Sequence, residues 1–261
     1  MKEIKDLKVY DSGNQNGKVI LFVHGFPLTS NMWKNQIEYF GKDYRCVSYD
    51  IRGLGNSAAG DGQFTMESFV DDLMEITSTL PLDKPILCGL SMGGYIALRT
   101  IEKFPDTFGG LILMDTRSDA DGNEGKLKRS AGIKRINIEG PIPFISDFVQ
   151  NCFYKESIKR LGEKYISFLE EAKKNNATGV KGSLLAMLSR TDTTESLSKI
   201  KVPVLLIGGE FDTLTPPPVM KLMADKIPNS TFEVIPDCGH LSPFERGDKV
   251  NEVMEKFLLK L

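Results

Sequence analysis

The stretch Pro85-Ile86-Leu87-Cys88-Gly89-Leu90-Ser91-Met92-Gly93-Gly94-Tyr95-Ile96-Ala97-Leu98 decides the fold. Ile86 to Cys88 is a short apolar run of the kind that makes a buried strand, and Tyr95 to Phe104 carries a helical pattern. Between them lies Gly-x-Ser-x-Gly, a spacing that builds a sharp turn and pushes the serine hydroxyl out at the end of a sheet. Such a turn needs a strained backbone at Ser91. It also needs small residues at Gly89 and Gly93, so that strand and helix can approach. The following helix turns its free N–H groups and positive dipole end towards the hydroxyl. A plain strand-to-helix turn with a serine cap would look the same locally. A nucleophile therefore requires a base, an acid and a second oxyanion donor elsewhere in the chain.

Upstream, Lys18 to Val23 is a continuous apolar strand, buried on both faces as parallel sheets require. It ends in His24-Gly25-Phe26-Pro27. The glycine lets the backbone turn so that the Phe26 amide points at Ser91. With the Met92 amide it makes a two-donor oxyanion hole, each donor worth about 2.7–4 kcal/mol. Helices are expected over 31–40, with Ser30 as cap, and over 65–80, capped by Thr65. Strands are expected over 44–49 and 110–114. Residues 1–17 read as a hairpin with turn signals at Asp11-Ser12-Gly13 and Asn16-Gly17. The loop Asp50-Ile51-Arg52-Gly53-Leu54-Gly55-Asn56-Ser57 lacks the Lys-Ser/Thr of a phosphate loop and reads as a hydrogen-bonded buttress. The alternation predicts a mainly parallel sheet with helices on both faces and a site beyond the carboxyl ends of its strands. His24, Ser91 and Asp115 all fall at such ends.

The rhythm changes between Thr116 and Lys201, where strand signals disappear. Helices are expected over 145–153, 157–174 and 181–189, with breaks at Gly140-Pro141-Ile142-Pro143 and Asn175-Asn176. The economical division is a core of residues 1–115 and 197–261 and an inserted helical cap of residues 116–196. Apolar cap residues, including Phe144, Phe148 and Met187, are candidates for a pocket wall, together with Trp33 from the core. The sheet resumes over 202–207 and 231–235 around a helix at 217–227, and a helix over 243–261 closes the chain.

Net charge is −2 with signs interspersed, which points to neither nucleic acid nor an anionic membrane as partner. No run approaches the roughly 18 apolar residues of a membrane span. Met1-Lys2-Glu3-Ile4-Lys5-Asp6 has no apolar core of a signal peptide, so the expectation is a cytoplasmic protein with a small-molecule substrate. Cys46, Cys88, Cys152 and Cys238 have no metal spacing and read as reduced thiols. No metal or organic cofactor is expected.

Of the two histidines, His24 belongs to the oxyanion loop, where its ring braces the backbone. His240, after the last strand, is left as the general base that a serine hydroxyl needs. Asp212, following Gly208-Gly209-Glu210-Phe211, is the preferred acid to orient His240, with Asp115 as the rival. The order serine, acid, histidine suits this architecture. These motifs, in this order, resemble the α/β-hydrolase fold over essentially the whole chain. The nearer resemblance, carried by Asp115-Thr116-Arg117 and Asp212-Thr213-Leu214-Thr215-Pro216-Pro217, is to small bacterial carboxylesterases and 3-oxoadipate enol-lactonase-like hydrolases. The resemblance implies an eight-stranded, mostly parallel sheet and hydrolysis of esters or lactones through an acyl-enzyme. A serine nucleophile argues against the dehalogenases and epoxide hydrolases of the family, which use aspartate. C–C bond hydrolysis, cofactor-free perhydrolysis and a triad-bearing ligand receptor stay open.

Overall fold

The computed structural model describes all 261 residues. Five strands of five or six residues, apolar throughout except for Arg45 and Ser48, have every residue buried: β3 (Val19–Val23), β4 (Arg45–Tyr49), β5 (Ile86–Leu90), β6 (Gly110–Met114) and β7 (Val204–Gly209). A strand buried on both faces must be covered on both faces, and helices do this. Before β3 the hairpin β1 (Lys2–Ile4) and β2 (Leu7–Gly13) forms one edge; β8 (Ser230–Ile235) forms the other. The eight strands run in the order β1-β2-β4-β3-β5-β6-β7-β8. Strand β2 is antiparallel to β1 and β4, and all other pairs are parallel. The chain steps outward from β3 to β4, then back across β3 to β5. That reversal puts the carboxyl end of β5, and Ser91, at a crevice suited to ligands.

The core helices are α1 (Lys34–Phe40), α2 (Met66–Thr79) and α3 (Met92–Lys103). Between β6 and β7 come α4 (Asn123–Glu139), α5 (Pro141–Cys152), α6 (Lys155–Leu161), α7 (Glu163–Ala172) and α8 (Ala177–Leu188). After β7 come α9 (Pro217–Ala224), α10 (Ser242–Glu245) and α11 (Gly247–Leu258). Helix α2 begins as expected. The Thr65 hydroxyl accepts from the Ser68 amide, and Ser68 answers with its own hydroxyl at the Thr65 amide.

Several local expectations are corrected. The hairpin turns at Lys5-Asp6, both with positive φ, and Asp11-Ser12-Gly13 ends β2 instead. Thr29, not Ser30, caps the 3-10 turn Ser30–Trp33 that precedes α1, because the Ser30 hydroxyl donates to Asp50. Gly140-Pro141 is a helix start, with proline at the first turn, where no N–H is missed. Asn176 is likewise a cap rather than a break, accepting from the Gly179 amide. Gly162, at φ 53°, splits 157–174 into α6 and α7. The helix expected over 243–261 is divided at Arg246 into α10 and α11. Helix α4 lies in a segment read only as charged. Its apolar residues Leu127, Ile133, Ile136 and Ile138 do not share a stripe, and it packs through Gly132 and Ile136 instead.

A buried ion cluster ties this inserted segment to the helix behind Ser91. Asp121 accepts from Arg129 and lies 2.9 Å from the Arg190 guanidinium, which sits 4.2 Å from the Tyr95 ring centroid on α3. Asp121→Ala strands both guanidiniums. It is expected to lower stability by about 3 kcal/mol, read from the urea midpoint at unchanged slope.

Candidate active site

Parallel register aligns the strand ends. Val23 lies beside Gly89, Leu90 beside Met114, and Met114 beside Ile207, so His24, Ser91 and Asp115 emerge together. Ser91 has φ 52° and ψ −114°, the strained turn the motif required. Three contacts hold it there. Its amide donates to Met114 O at 2.9 Å, its carbonyl accepts from the Thr116 hydroxyl at 2.8 Å, and that carbonyl also accepts the Tyr95 amide at 3.1 Å. A Cβ at Gly93 would lie 2.2 Å from Val23 O, and one at Gly89 would lie 2.4 Å from Gly93 O. Only hydrogen fits at either place.

The Ser91 Oγ lies 2.7 Å from His240 Nε2, and His240 Nδ1 lies 2.8 Å from Asp212 Oδ2. The Thr215 hydroxyl donates to the same Asp212 oxygen at 2.6 Å, while the Leu214 and Thr215 amides donate to Oδ1 at 2.8 and 3.0 Å. Asp212 is thus an acceptor on both oxygens, so Nδ1 carries the imidazole proton and Nε2 is free to accept from Ser91. The arrangement can move a proton from Ser91 to His240 while Asp212 steadies the charge that forms. Thr215 was overlooked as a site residue. Its signal was the spacing Asp-x-x-Thr ahead of a proline helix start, which folds the backbone around the carboxylate.

The Phe26 amide is not spent on another backbone carbonyl, and Met92 opens α3, where a helix offers its first amides no acceptor. A Cβ added at Gly25 would lie 3.3 Å from Ser91 Cβ, so the Phe26 loop passes directly beside the nucleophile turn. His24 braces it. Its Nδ1 donates to Gly25 O at 2.8 Å and its Nε2 accepts from the Ile51 amide at 2.9 Å. Burial holds the His24 pKa below its ordinary value, against the nearby Asp50 charge. The Asp50 loop is a buttress, as expected: its carboxylate accepts from the Ser30 amide and hydroxyl and from the Asn56 amide at 2.7–2.9 Å.

The two rival acids separate by contact. Asp212 bonds to the imidazole; Asp115 bonds to the Gly209 amide at 2.8 Å and to the Ser242 amide and hydroxyl at 3.1 and 2.6 Å. Burial, reinforced by the Asp212 charge, pushes Asp115 up to about 8. Burial also works against ionised Asp212, but the charge and hydrogen bond of His240 and the Thr215 bonds outweigh it and hold Asp212 at about 2. For His240, burial lowers the pKa, and the Asp212 carboxylate, with Asp115 and Glu245 behind it, more than reverses this. One carboxyl is kept neutral and the other ionised by surroundings alone.

Of the four pocket-wall candidates, Phe144 and Phe148 pack on the Phe26 ring, with centroids 6.3 and 5.2 Å away. Trp33 does not join them. It is fully buried in the core, 5.1 Å from Phe22, because the 3-10 turn carries it down onto β3. Met187 is buried among the inserted helices with its sulfur 3.2 Å from the Arg129 guanidinium. A cavity of about 650 Å³ lies elsewhere, between Tyr10, Lys34, Asp50 and Glu171, and none of Ser91, Asp212 or His240 lines it.

The α/β-hydrolase fold family model matches residues 18–135 and 140–247, and the chain belongs to that family. A solved esterase from Thermogutta terrifontis, with malate bound, superposes at TM-score 0.93 with 36% identity, covering 97% of this chain and 93% of that one. A 3-oxoadipate enol-lactonase from Acinetobacter baylyi is 27% identical over 97% of this chain and 93% of its own. A bifunctional esterase/perhydrolase from Acinetobacter calcoaceticus is 26% identical over 98% of this chain and 97% of its own. No helix is long and apolar enough to cross a membrane.

The electrostatics give a direct expectation. His240 should titrate above the ordinary imidazole value of 6.5. Asp212→Asn removes the principal charge that raises it, so the midpoint should fall by about 1–3 units in a proton NMR titration.

Proposed function

We propose that the protein is a serine hydrolase that cleaves carboxylic esters or lactones of small to medium acyl substrates. The observation that carries this is the continuous relay from Ser91 Oγ through His240 to Asp212, 2.7 and 2.8 Å at its two joints. It sits on a strained turn that opens a helix. In the proposed cycle the substrate carbonyl lies between Ser91 and the Phe26 and Met92 amides. Ser91 Oγ attacks the carbonyl carbon as its proton passes to His240 Nε2. The oxyanion is held by the two amides, and Asp212 stabilises the imidazolium. Collapse breaks the ester C–O bond, and His240 gives its proton to the leaving alcohol. Water then enters, loses a proton to His240 and attacks the acyl carbon; Ser91 leaves with the proton returned. In a lactone the leaving alcohol stays attached to the acyl group, which departs as a hydroxy acid.

Phe144 and Phe148 are the residues best placed to meet an acyl chain, since they flank Phe26. The same reading divides the chain into a core of residues 1–115 and 197–261 and a cap of residues 116–196, supported by the five helices between β6 and β7. Perhydrolysis is the second reading, favoured by the esterase/perhydrolase relative. Hydrogen peroxide would replace water as the nucleophile on the same acyl-enzyme and release a peracid.

The test is initial rates on p-nitrophenyl esters of increasing acyl length, and on lactones. Ser91→Ala should fold normally and lose roughly a million-fold in kcat. Asp212→Asn should lose about ten-thousand-fold, by forcing the wrong tautomer, and Asp115→Asn far less. Undiminished turnover in Ser91→Ala would sink the mechanism; the reverse ranking of the two aspartates would move the acid to Asp115. His240 must be neutral to act as base, and its pKa is raised. Log kcat/KM should therefore fall as pH drops through a midpoint above 6.5 and level off at higher pH.

A further inference from the structure

Glu245 is a second buried carboxyl that the proposed cycle does not use. It lies on α10, five residues past His240, and is only 4% exposed. Its Oε1 accepts from the Gly239 amide at 2.9 Å and the Leu241 amide at 3.3 Å, the residues on either side of His240. Its Oε2 accepts from the Tyr154 amide at 3.0 Å, in the link between α5 and α6. Three N–H donors are thus gathered on two oxygens that, when ionised, can only accept. The His240 amide donates to Cys152 O at 2.7 Å in the same link. There is no room for slack: a Cβ at Gly239 would lie 2.7 Å from both Cys152 O and Tyr154 N. The Tyr154 ring, in turn, stacks at 4.2 Å and 11° on Phe211, the neighbour of Asp212. Ser157 and Arg160 of α6 complete the joint through Asp237 O and Glu245 O.

We propose that Glu245 is a positioning residue: it fixes His240 by holding the amides on both sides of it, and it locks the histidine loop to the inserted helices through Tyr154. The kinetic consequence rests on the hydrolase reading; the positioning itself does not. The charged and titratable groups around His240 are Asp212 from the β7–α9 loop, Asp115 from β6 and Glu245 from α10, with the Cys152 thiol beside them. The Asp212 and Glu245 charges both raise the His240 pKa, so loss of the Glu245 charge lowers it.

The test compares the full-length wild type with Glu245→Gln, with thermal unfolding as the check on folding. With only two histidines, the His240 ring signals are easily assigned. Three results are expected in Glu245→Gln. The His240 titration moves down by roughly half a unit or more. The Nδ1 proton shared with Asp212 broadens through exchange with water. The Tyr154, Gly239 and Leu241 amides lose hydrogen-exchange protection together, while those of Leu214 and Thr215 keep theirs. In ester turnover, kcat falls at least about tenfold with KM nearly unchanged, since the chemical step is affected and not binding. A folded Glu245→Gln with unchanged titration, Nδ1 proton and amide protection overturns the proposal. A wild type that turns over no ester, with the three spectroscopic changes intact, overturns the hydrolase reading and leaves the positioning role standing. If Glu245→Gln does not fold, Glu245→Asp carries the test. It keeps the charge but is one carbon too short to span the three amides. A broadened Nδ1 proton is then expected, and a sharp, unshifted one overturns the proposal.

Discussion

A single strained residue is the constraint on which the structure depends. Ser91 sits at positive φ without being glycine, a conformation that costs on the order of 1–3 kcal/mol and survives only where its surroundings over-determine it. They do. The amide is held by β6, the carbonyl by Thr116 just beyond β6, and the adjoining helix by its contact with the β3 backbone at Gly93. Each restraint comes from a strand next to β5 in the sheet. The buried parallel sheet is therefore more than a scaffold. The burial of its strands supplies the energy that keeps the serine hydroxyl aimed out of the turn.

What was legible in the sequence follows from how local each signal is. The strands could be read because residues buried on both faces must be apolar in unbroken runs, as Val19 to Val23 is. The nucleophile turn could be read because its geometry excludes side chains at Gly89 and Gly93. The proposed acid and base were picked out by their places after strand ends, and contact with the imidazole separates Asp212 from Asp115. The inserted helices were harder. Helix α4 has no apolar stripe and owes its place to Gly132, where Phe144 packs, and to salt links at Asp121. Those contacts reach outside the helix itself, and no period within it encodes them. Trp33 shows the opposite failure. It was a candidate for the pocket wall, but the 3-10 turn carries it into the core against Phe22, where there is only packing.

The buried carboxyl groups show how one element set serves different tasks. Asp50, Asp115, Asp212 and Glu245 are all almost inaccessible, and all accept backbone amides. Asp50 fastens the turn after the Phe26 loop. Asp115 joins the β7 end to the start of α10. Only Asp212 bonds to an imidazole, and there the charge and hydrogen bond of His240 outweigh burial. What sets Asp212 apart is its contact with an imidazole, since burial is common to all four.

This explains why the histidine end of the relay needs a different device from the serine end. Ser91 follows a central strand and is gripped from both sides by its neighbours. His240 follows β8, an edge strand whose only partner in the sheet is β7. No further strand exists to hold the loop after it. The fold replaces the missing strand with side chains and with the inserted segment: Asp115 takes Ser242, Glu245 takes Gly239 and Leu241, and Cys152 O takes the His240 amide. Two of these three supports reach the inserted helices, directly or through Tyr154. His240 is thus held partly by the inserted helices, whereas Ser91 is held by the sheet. Any movement between the two layers falls first on the 2.7 Å joint between His240 and Ser91, the one hydrogen bond of the relay that spans them.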